Sequence, residues 1–329
     1  MLIHVYFHSD FDGICSAAVF SNVLRQSKSV GDVAFTYIPV DYDVKTHWIT
    51  KRLEQPCAIV DFLYHPDATW WFDHHETTFA RKDWELAYQP DLQHVWRTQY
   101  KSCPRLIVDT IPDSSVKRRL RRRFSEILKW CDVIDSANYD SASQVIKMAE
   151  PALRINATLS QDRGPDYLKF LVTCIERLSL EAVCELEEVQ QRFDRARRWQ
   201  DAAIAHIRST AVVKKGVAVI NLVDHPDLFH RYAAYYLWQE LRFQVAIYRH
   251  GRFYKLTVSA NPWLSHEGPD LGAICESYGG GGHADVAGII LKSKQRALRA
   301  GEEISSILRD ECRFHHQLSF RHLGSGPKS

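Results

Sequence analysis

The chain has 329 residues, too many for one ordinary hydrophobic core and a natural length for two domains. With 45% hydrophobic and 25% charged residues it has the composition of a soluble globular protein, and a net charge of +2 argues neither for nor against a polyanionic partner. No run approaches about 18 consecutive apolar residues, so no membrane-spanning helix is predicted.

Elements follow in chain order. "LIHVYF" (2–7) reads as a strand, not as a basic and apolar leader, so no signal peptide is expected. Helical spacing over 14–26 leads to a second strand at 33–40 and a helical stretch at 44–55. "CAIVDF" (57–62) and "TWWFD" (69–73) are two more strands. Such alternation predicts an α/β fold with a parallel sheet. A basic helix is expected over 114–131 and helical structure over about 140–210, with the long periodic stretch 178–210 connecting two domains. We place the first domain at 1–190, the connecting helix at 191–212 and a smaller α/β domain at 213–329. In the latter, a strand (216–223) precedes a helix (228–241). Two strands then meet at His250-Gly251, "YGGGGHADVAGIIL" (278–291) follows, and a helix over about 293–312 leads to a frayed "GSGPKS" tail. The eight cysteines are scattered mostly through apolar segments without a CxxC pair, which predicts buried thiols in a reducing, cytoplasmic setting.

The acids fall in a pattern. The first strand runs into His8-Ser9-Asp10-Phe11-Asp12-Gly13, the strand at 57 ends on Asp61, and the strand at 69 ends on Asp73-His74-His75. Ligands of open α/β sheets bind beyond the carboxyl ends of the strands, so three strands deliver four Asp and three His to one edge. One Asp after a strand commonly caps a helix, and a His-His pair is common at surfaces; three such endings together are harder to explain that way. Carboxylates this close repel unless positive charge compensates, and these segments contain no Lys or Arg. Divalent metal is the natural counter-charge, and the oxygen-rich donor set without thiolate suits Mn²⁺ or Mg²⁺ better than structural zinc. The period-two spacing of His8, Asp10 and Asp12 lets alternate side chains converge.

These motifs, with "WCDVIDSA" (130–137) and "YGGGGHADVAG" (278–288), resemble the DHH phosphoesterase superfamily in its stand-alone two-domain form, with a DHH-associated domain of the first type. The resemblance covers most of the chain and rests on five motifs in order. It implies a pair of Mn²⁺ or Mg²⁺ ions in a cleft between the domains. His8 and Asp10 would hold one ion, Asp12, His74 and an acid of the fourth motif the other, and Asp61 would bridge them. Both Asp132 and Asp135 are available in that motif; Asp132 is preferred because it directly follows the helix ending "ILKWC". Asp73 would orient an imidazole and His75 would face the substrate. Two ions sharing a water lower its pKa and clamp phosphate oxygens.

Gly280, Gly281, Gly282 and His283 have two readings. Glycines can form a flexible turn, or their N–H groups can form an anion nest helped by a following helix start. The resemblance makes them substrate contacts. It also expects an arginine near "TVSANPW", where this chain has Ala260 and Asn261; Arg249 and Arg252 are the alternatives. "VKRRLRRRF" (116–124) is a solvated helix face or a contact for nucleic acid, and Trp70, Trp71 and Trp263 are candidates to stack bases. The expected activity is hydrolysis of short single-stranded oligonucleotides to 5′-mononucleotides, with a homodimer compatible. The alternatives are a cyclic-dinucleotide phosphodiesterase, a 3′-phosphoadenosine 5′-phosphate phosphatase, or a nucleotide-binding module without chemistry.

Overall fold

The computed structural model describes residues 1–26, 32–265 and 268–322, with 313–322 as backbone only; the tail at 324–329 lies outside the described residues. Two compact units emerge, Met1–Tyr139 with Met148–Ala196, and Asp140–Lys147 with Arg197–Ser329.

The elements of the first unit begin with β1 (Leu2–His8), α1 (Phe11–Gln26), β2 (Ala34–Val40) and a short 3₁₀ turn (Tyr42–Val44) running into α2 (Lys45–Trp48). Then come β3 (Cys57–Val60), β4 (Trp70–Asp73), α3 (Lys82–Ala87), β5 (His94–Trp96), α4 (Cys103–Thr110), α5 (Ser114–Arg123) and α6 (Ser125–Asp135). The chain continues through α7 (Ala142–Lys147), α8 (Pro151–Thr158), α9 (Pro165–Arg177), α10 (Leu180–Cys184) and α11 (Glu187–Thr210). The second unit adds β6 (Val212–Lys214), β7 (Val217–Leu222), α12 (Ala233–Leu237), β8 (Phe243–His250), β9 (Phe253–Ala260), α13 (Leu271–Glu276), β10 (Gly281–Gly282), β11 (Val286–Leu291) and α14 (Lys294–His322).

The first sheet is parallel throughout, in the order β2-β1-β3-β4-β5. Its three central strands, β1, β3 and β4, are largely buried on both faces, as parallel strands require. Ile3, Val5, Phe7, Ala58, Val60 and Phe72 face a core that also holds residues of α1, α4, α6 and α9. Tyr6, Cys57, Ile59 and Trp71, in alternate positions, face an aromatic layer with Trp48 and Phe62. The chain steps from β1 outward to β2, then returns past β1 to β3. The order therefore reverses between β1 and β3, which opens a crevice at their carboxyl ends.

In the second unit a six-stranded sheet runs β10-β11-β9-β8-β7-β6, antiparallel except for the β7–β8 pair. Ala297, Ala300, Ile304 and Leu308 of α14 share one core with β8, β9 and β11. Ala233 and Ala234 share another with Ile204, Ile207, Ala142 and Ile146.

Several expected elements differ. The helical stretch 44–55 shrinks to Lys45–Trp48, and the strand expected at 57–62 stops at Val60, where Asp61 turns the chain. The stretch 178–210 breaks between α10 and α11, where Leu186 packs against the first core. The helix expected over 228–241 spans only Ala233–Leu237. His230 is buried, stacked on Trp199 and 3.2 Å from Gln200 Oε1, and its Nδ1 accepts the Tyr232 N–H. Those contacts hold the preceding residues out of a helix. β5 was not predicted, because three residues carry no period.

Candidate metal centre

The site is built at the reversal of strand order. β1 delivers His8, and Ser9-Asp10 leads directly into α1, whose first turn holds Asp12. A Cβ on Gly13 would lie 2.2 Å from the His8 carbonyl oxygen, so only glycine lets the helix pass the strand end. The Gly13 N–H donates to Asp10 Oδ1 at 2.9 Å, and Asp10 Oδ2 lies 2.8 Å from His8 Nδ1, outside hydrogen-bond geometry. Asp12 is buried; its Oδ2 accepts the Cys103 N–H at the start of α4 (2.8 Å), and its Oδ1 has no partner.

Asp61 follows β3 with φ of +58°, a left-handed conformation that costs a non-glycine residue on the order of 1–3 kcal/mol. Its N–H donates to the Phe72 carbonyl at 2.8 Å, which pins the turn to β4. The fully buried carboxylate points two ways. Oδ1 is 3.3 Å from His74 Nε2, and Oδ2 is 3.7 Å from His8 Nδ1.

Asp73 ends β4 and serves its neighbours. Its Oδ1 accepts the His74 N–H at 2.9 Å and lies 2.8 Å from His75 Nδ1, while Oδ2 accepts from the Thr78 hydroxyl. His74 Nδ1 lies 3.1 Å from the Tyr100 carbonyl, which can only accept, so Nδ1 carries hydrogen and Nε2 is left toward the acids. That Nε2 is 3.6 Å from both Asp12 Oδ2 and Asp135 Oδ2.

One expected residue stands elsewhere. Asp132, preferred as the fourth-motif acid, accepts from Arg105 Nε and Ser102 Oγ, each at 2.6 Å. The acid brought to His74 is Asp135, the last residue of α6. It lies three positions later, about 4.5 Å further along the helix axis, which is the difference between reaching Arg105 and reaching the carboxylates.

Three stretches with two readings each narrow in the structure. Trp71 is fully buried and Trp70 packs against Phe20, while Trp263 packs against Tyr232 and Tyr235. In the basic run Arg119 binds Gln26, Arg121 binds Asp109, and Arg123 donates to the Glu176 carbonyl; half of its cations are thus engaged within the domain. The glycine run is part of a sheet and precedes β11, not a helix. The N–H groups of Gly279, Gly280 and His283 donate to the carbonyls of Glu276, Cys275 and Val286, so these three are not available to an anion nest. Gly280 is required by packing, since a Cβ there would lie 2.3 Å from the Gly288 oxygen. The His283 side chain is exposed.

Charge explains why this cluster calls for a cation. Burial, then repulsion from Asp61, Asp135 and Asp10, holds the Asp12 carboxyl well above the usual range. Burial and Asp61 push Asp135 up to about 6. Asp61 is the exception. Burial would raise it, yet His74 and His8 hold it below the ordinary carboxylate value. Burial opposes charging of the histidines, but Asp10 and Asp61 outweigh it at His8, pushed up to about 11, and Asp73 and Asp61 at His75, pushed up to about 9. Protons therefore stand where positive charge is needed.

The donor set fits divalent metal. Asp12 Oδ1, both Asp61 oxygens, His8 Nδ1 and His74 Nε2 are buried without hydrogen-bond partners. Three groups of donors converge: His8, Asp10 and Asp61; Asp12, His74 and Asp135; and Asp61, His74 and His75. Apart from His8 Nδ1 and Asp10 Oδ2 at 2.8 Å, the facing atoms of different segments lie 3.3–3.7 Å apart, long for hydrogen bonds. These separations are close to the spacing, about 3.0–3.4 Å, of ligands around an ion held at roughly 2.1 Å.

No family model matches the chain, and no curated protein matches it. Solved structures do. A pGpG-specific phosphodiesterase, PggH, from Vibrio cholerae aligns over 94% of this chain and 100% of its own, at 15% identity and a TM-score of 0.70. A DHH domain described as a member of a family of ribosomal proteins aligns over 93% of this chain and 87% of its own, at 13% identity and a TM-score of 0.55. This chain has the DHH fold. RecJ from Thermus thermophilus, in complex with Mn²⁺, aligns over 93% of this chain and 51% of its own, at 13% identity and a TM-score of 0.52.

The DHH fold was legible from the motifs, whereas four partners of the site were not. They are the Tyr100 carbonyl, the Cys103 N–H, the Thr78 hydroxyl and Asp41, whose Oδ1 lies 3.8 Å from His8 Nε2. Of these only Asp41, the residue after β2, carried a signal, as a further acid at a strand end.

Proposed function

We propose that this protein is a two-metal phosphodiesterase that hydrolyses short single-stranded oligonucleotides, of dinucleotide size, to 5′-mononucleotides. The observation that carries the proposal is the Asp61 carboxylate, buried, unpartnered, and aimed at His8 through one oxygen and His74 through the other. In this reading His8, Asp10 and Asp61 would hold one ion, and Asp12, Asp61, His74 and Asp135 would hold the second. Mn²⁺ is the preferred ion, with Mg²⁺ as the alternative. When bound, such ions supply a water that is acidic near neutral pH and positive charge opposite the phosphate oxygens. The named neighbour that acts on pGpG, a linear dinucleotide, supports a substrate of that size.

The protein's own residues divide the remaining work. The left-handed turn at Asp61 and its bond to Phe72 keep the Asp61 carboxylate from swinging away. Asp73 accepts from His75 Nδ1 and fixes that ring, leaving Nε2 for substrate. The His75 side chain is 31% exposed and held by Asp73, which places its Nε2 to donate a proton to the departing oxygen. The exposed His283 is the residue of the glycine-rich segment proposed to meet the substrate phosphate.

The test is a panel with Mn²⁺: pGpG, a ~24-mer RNA, single-stranded DNA of the same length, 3′-phosphoadenosine 5′-phosphate and cyclic di-AMP. Wild type is expected to show its highest kcat/KM on pGpG, and Asp61→Asn to lose hydrolysis while keeping its circular dichroism spectrum. Full activity in Asp61→Asn would remove the two-metal reading. A highest kcat/KM on any other member of the panel would replace the substrate.

A further inference from the structure

β2 ends beside β1, and the chain then makes a tight 3₁₀ turn at Tyr42–Val44. Asp41 caps that turn by accepting the Tyr42 N–H at 2.7 Å. The turn presents the Tyr42 ring over the metal-ligand cluster. Its centroid lies 5.1 Å from His8, 5.2 Å from Phe62 and 6.5 Å from His75, with interplanar angles of 66°, 42° and 81°. None of these contacts is a parallel stack. Tyr42 is 39% exposed, and the other large apolar residues this exposed among the described residues carry no ring. The tryptophans expected to stack bases are packed elsewhere, which leaves Tyr42 as the accessible aromatic surface beside His8 and His75.

We infer that Tyr42 is the stacking platform for a nucleobase of the substrate, on the nucleoside whose phosphate lies against the His8 side of the cluster. The inference rests on the phosphodiesterase reading above and adds a residue that recognises the base. An exposed ring this near a buried charge cluster is poorly used as core, because its outer surface has nothing to pack against. Against a base it supplies apolar contact and π overlap that tolerate any base, since every base has a face.

The experiment compares kcat/KM with Mn²⁺ for pGpG and for the same diester with abasic ribose in place of both guanosines. The readout is the ratio of the two. Tyr42→Ala is expected to lower that ratio about 10- to 100-fold, and Tyr42→Phe and Tyr42→Trp to hold it near the wild-type value. A ratio unchanged in Tyr42→Ala overturns the inference, as does a loss in Tyr42→Phe equal to that in Tyr42→Ala, which would assign the effect to the hydroxyl. Wild type that hydrolyses neither diester overturns the dinucleotide reading and this inference with it. Active wild type with an unchanged ratio overturns the inference alone.

Discussion

Asp135 and Asp132 belong to one helix and one motif, yet they should respond to substitution in opposite ways. Asp135 is 26% exposed and sits 3.6 Å from His74 Nε2, with burial and Asp61 pushing its carboxyl up to about 6. Set against an ordinary value of 3.8, that raised acid makes the metal-free fold less stable above pH 6 by about 1–3 kcal/mol. The sign follows from proton count. Between pH 3.8 and about 6 the folded form holds more protons, so stability falls as pH rises through that window and the penalty is complete above it. Asp135→Asn removes the charge, so without metal at pH 7 its Tm should rise by several degrees, at roughly 2–4 °C per kcal/mol for a domain of this size. With Mn²⁺ the order should invert. Wild type gains about 2.7 kcal/mol at a metal concentration 100 times Kd, and a variant lacking one ligand gains less. Asp132→Asn should do something different. It weakens a partly exposed charged pair, with Asp132 19% and Arg105 34% exposed, and should cost about 1–2 kcal/mol whether or not metal is present. The assay is thermal unfolding of wild type and both variants, with chelator and across a Mn²⁺ titration. If Asp132→Asn abolishes the Mn²⁺-dependent gain while Asp135→Asn keeps it, the assignment of Asp135 is wrong.

Mn²⁺ binding at pH 7 should release protons, because His8 is pushed up to about 11 and must lose its proton to coordinate through Nδ1. Apparent affinity should therefore climb with pH between about 6 and 9. Calorimetry in two buffers of different ionisation enthalpy measures the release, and a heat independent of buffer would contradict it. His283→Ala should raise KM for pGpG severalfold with the larger effect on KM than on kcat, measured by steady-state kinetics. An unchanged KM would leave the glycine run as a packing feature only.

Much of the site was legible because a parallel sheet has one carboxyl edge. Once β1, β3 and β4 are read as neighbouring parallel strands, His8, Asp10, Asp12, Asp61, Asp73, His74 and His75 must meet there, whatever else the chain does. Short apolar runs made the strands readable, as buried parallel strands require. The choice between Asp132 and Asp135 could not be read. Both lie on one helix, and which of them meets His74 depends on where α6 sits against the sheet, a matter of packing between elements distant in sequence. Nor could the Tyr100 carbonyl or the Cys103 N–H be read, because backbone groups exist at nearly every residue and carry no signature. Asp41 and Tyr42 come beside His8 only through strand order: β2 lies next to β1, so the residues after it arrive there. Local chemistry chose the ligands that follow each strand. The arrangement of the strands and the seat of α6 decided which acid, which ring and which backbone groups complete them.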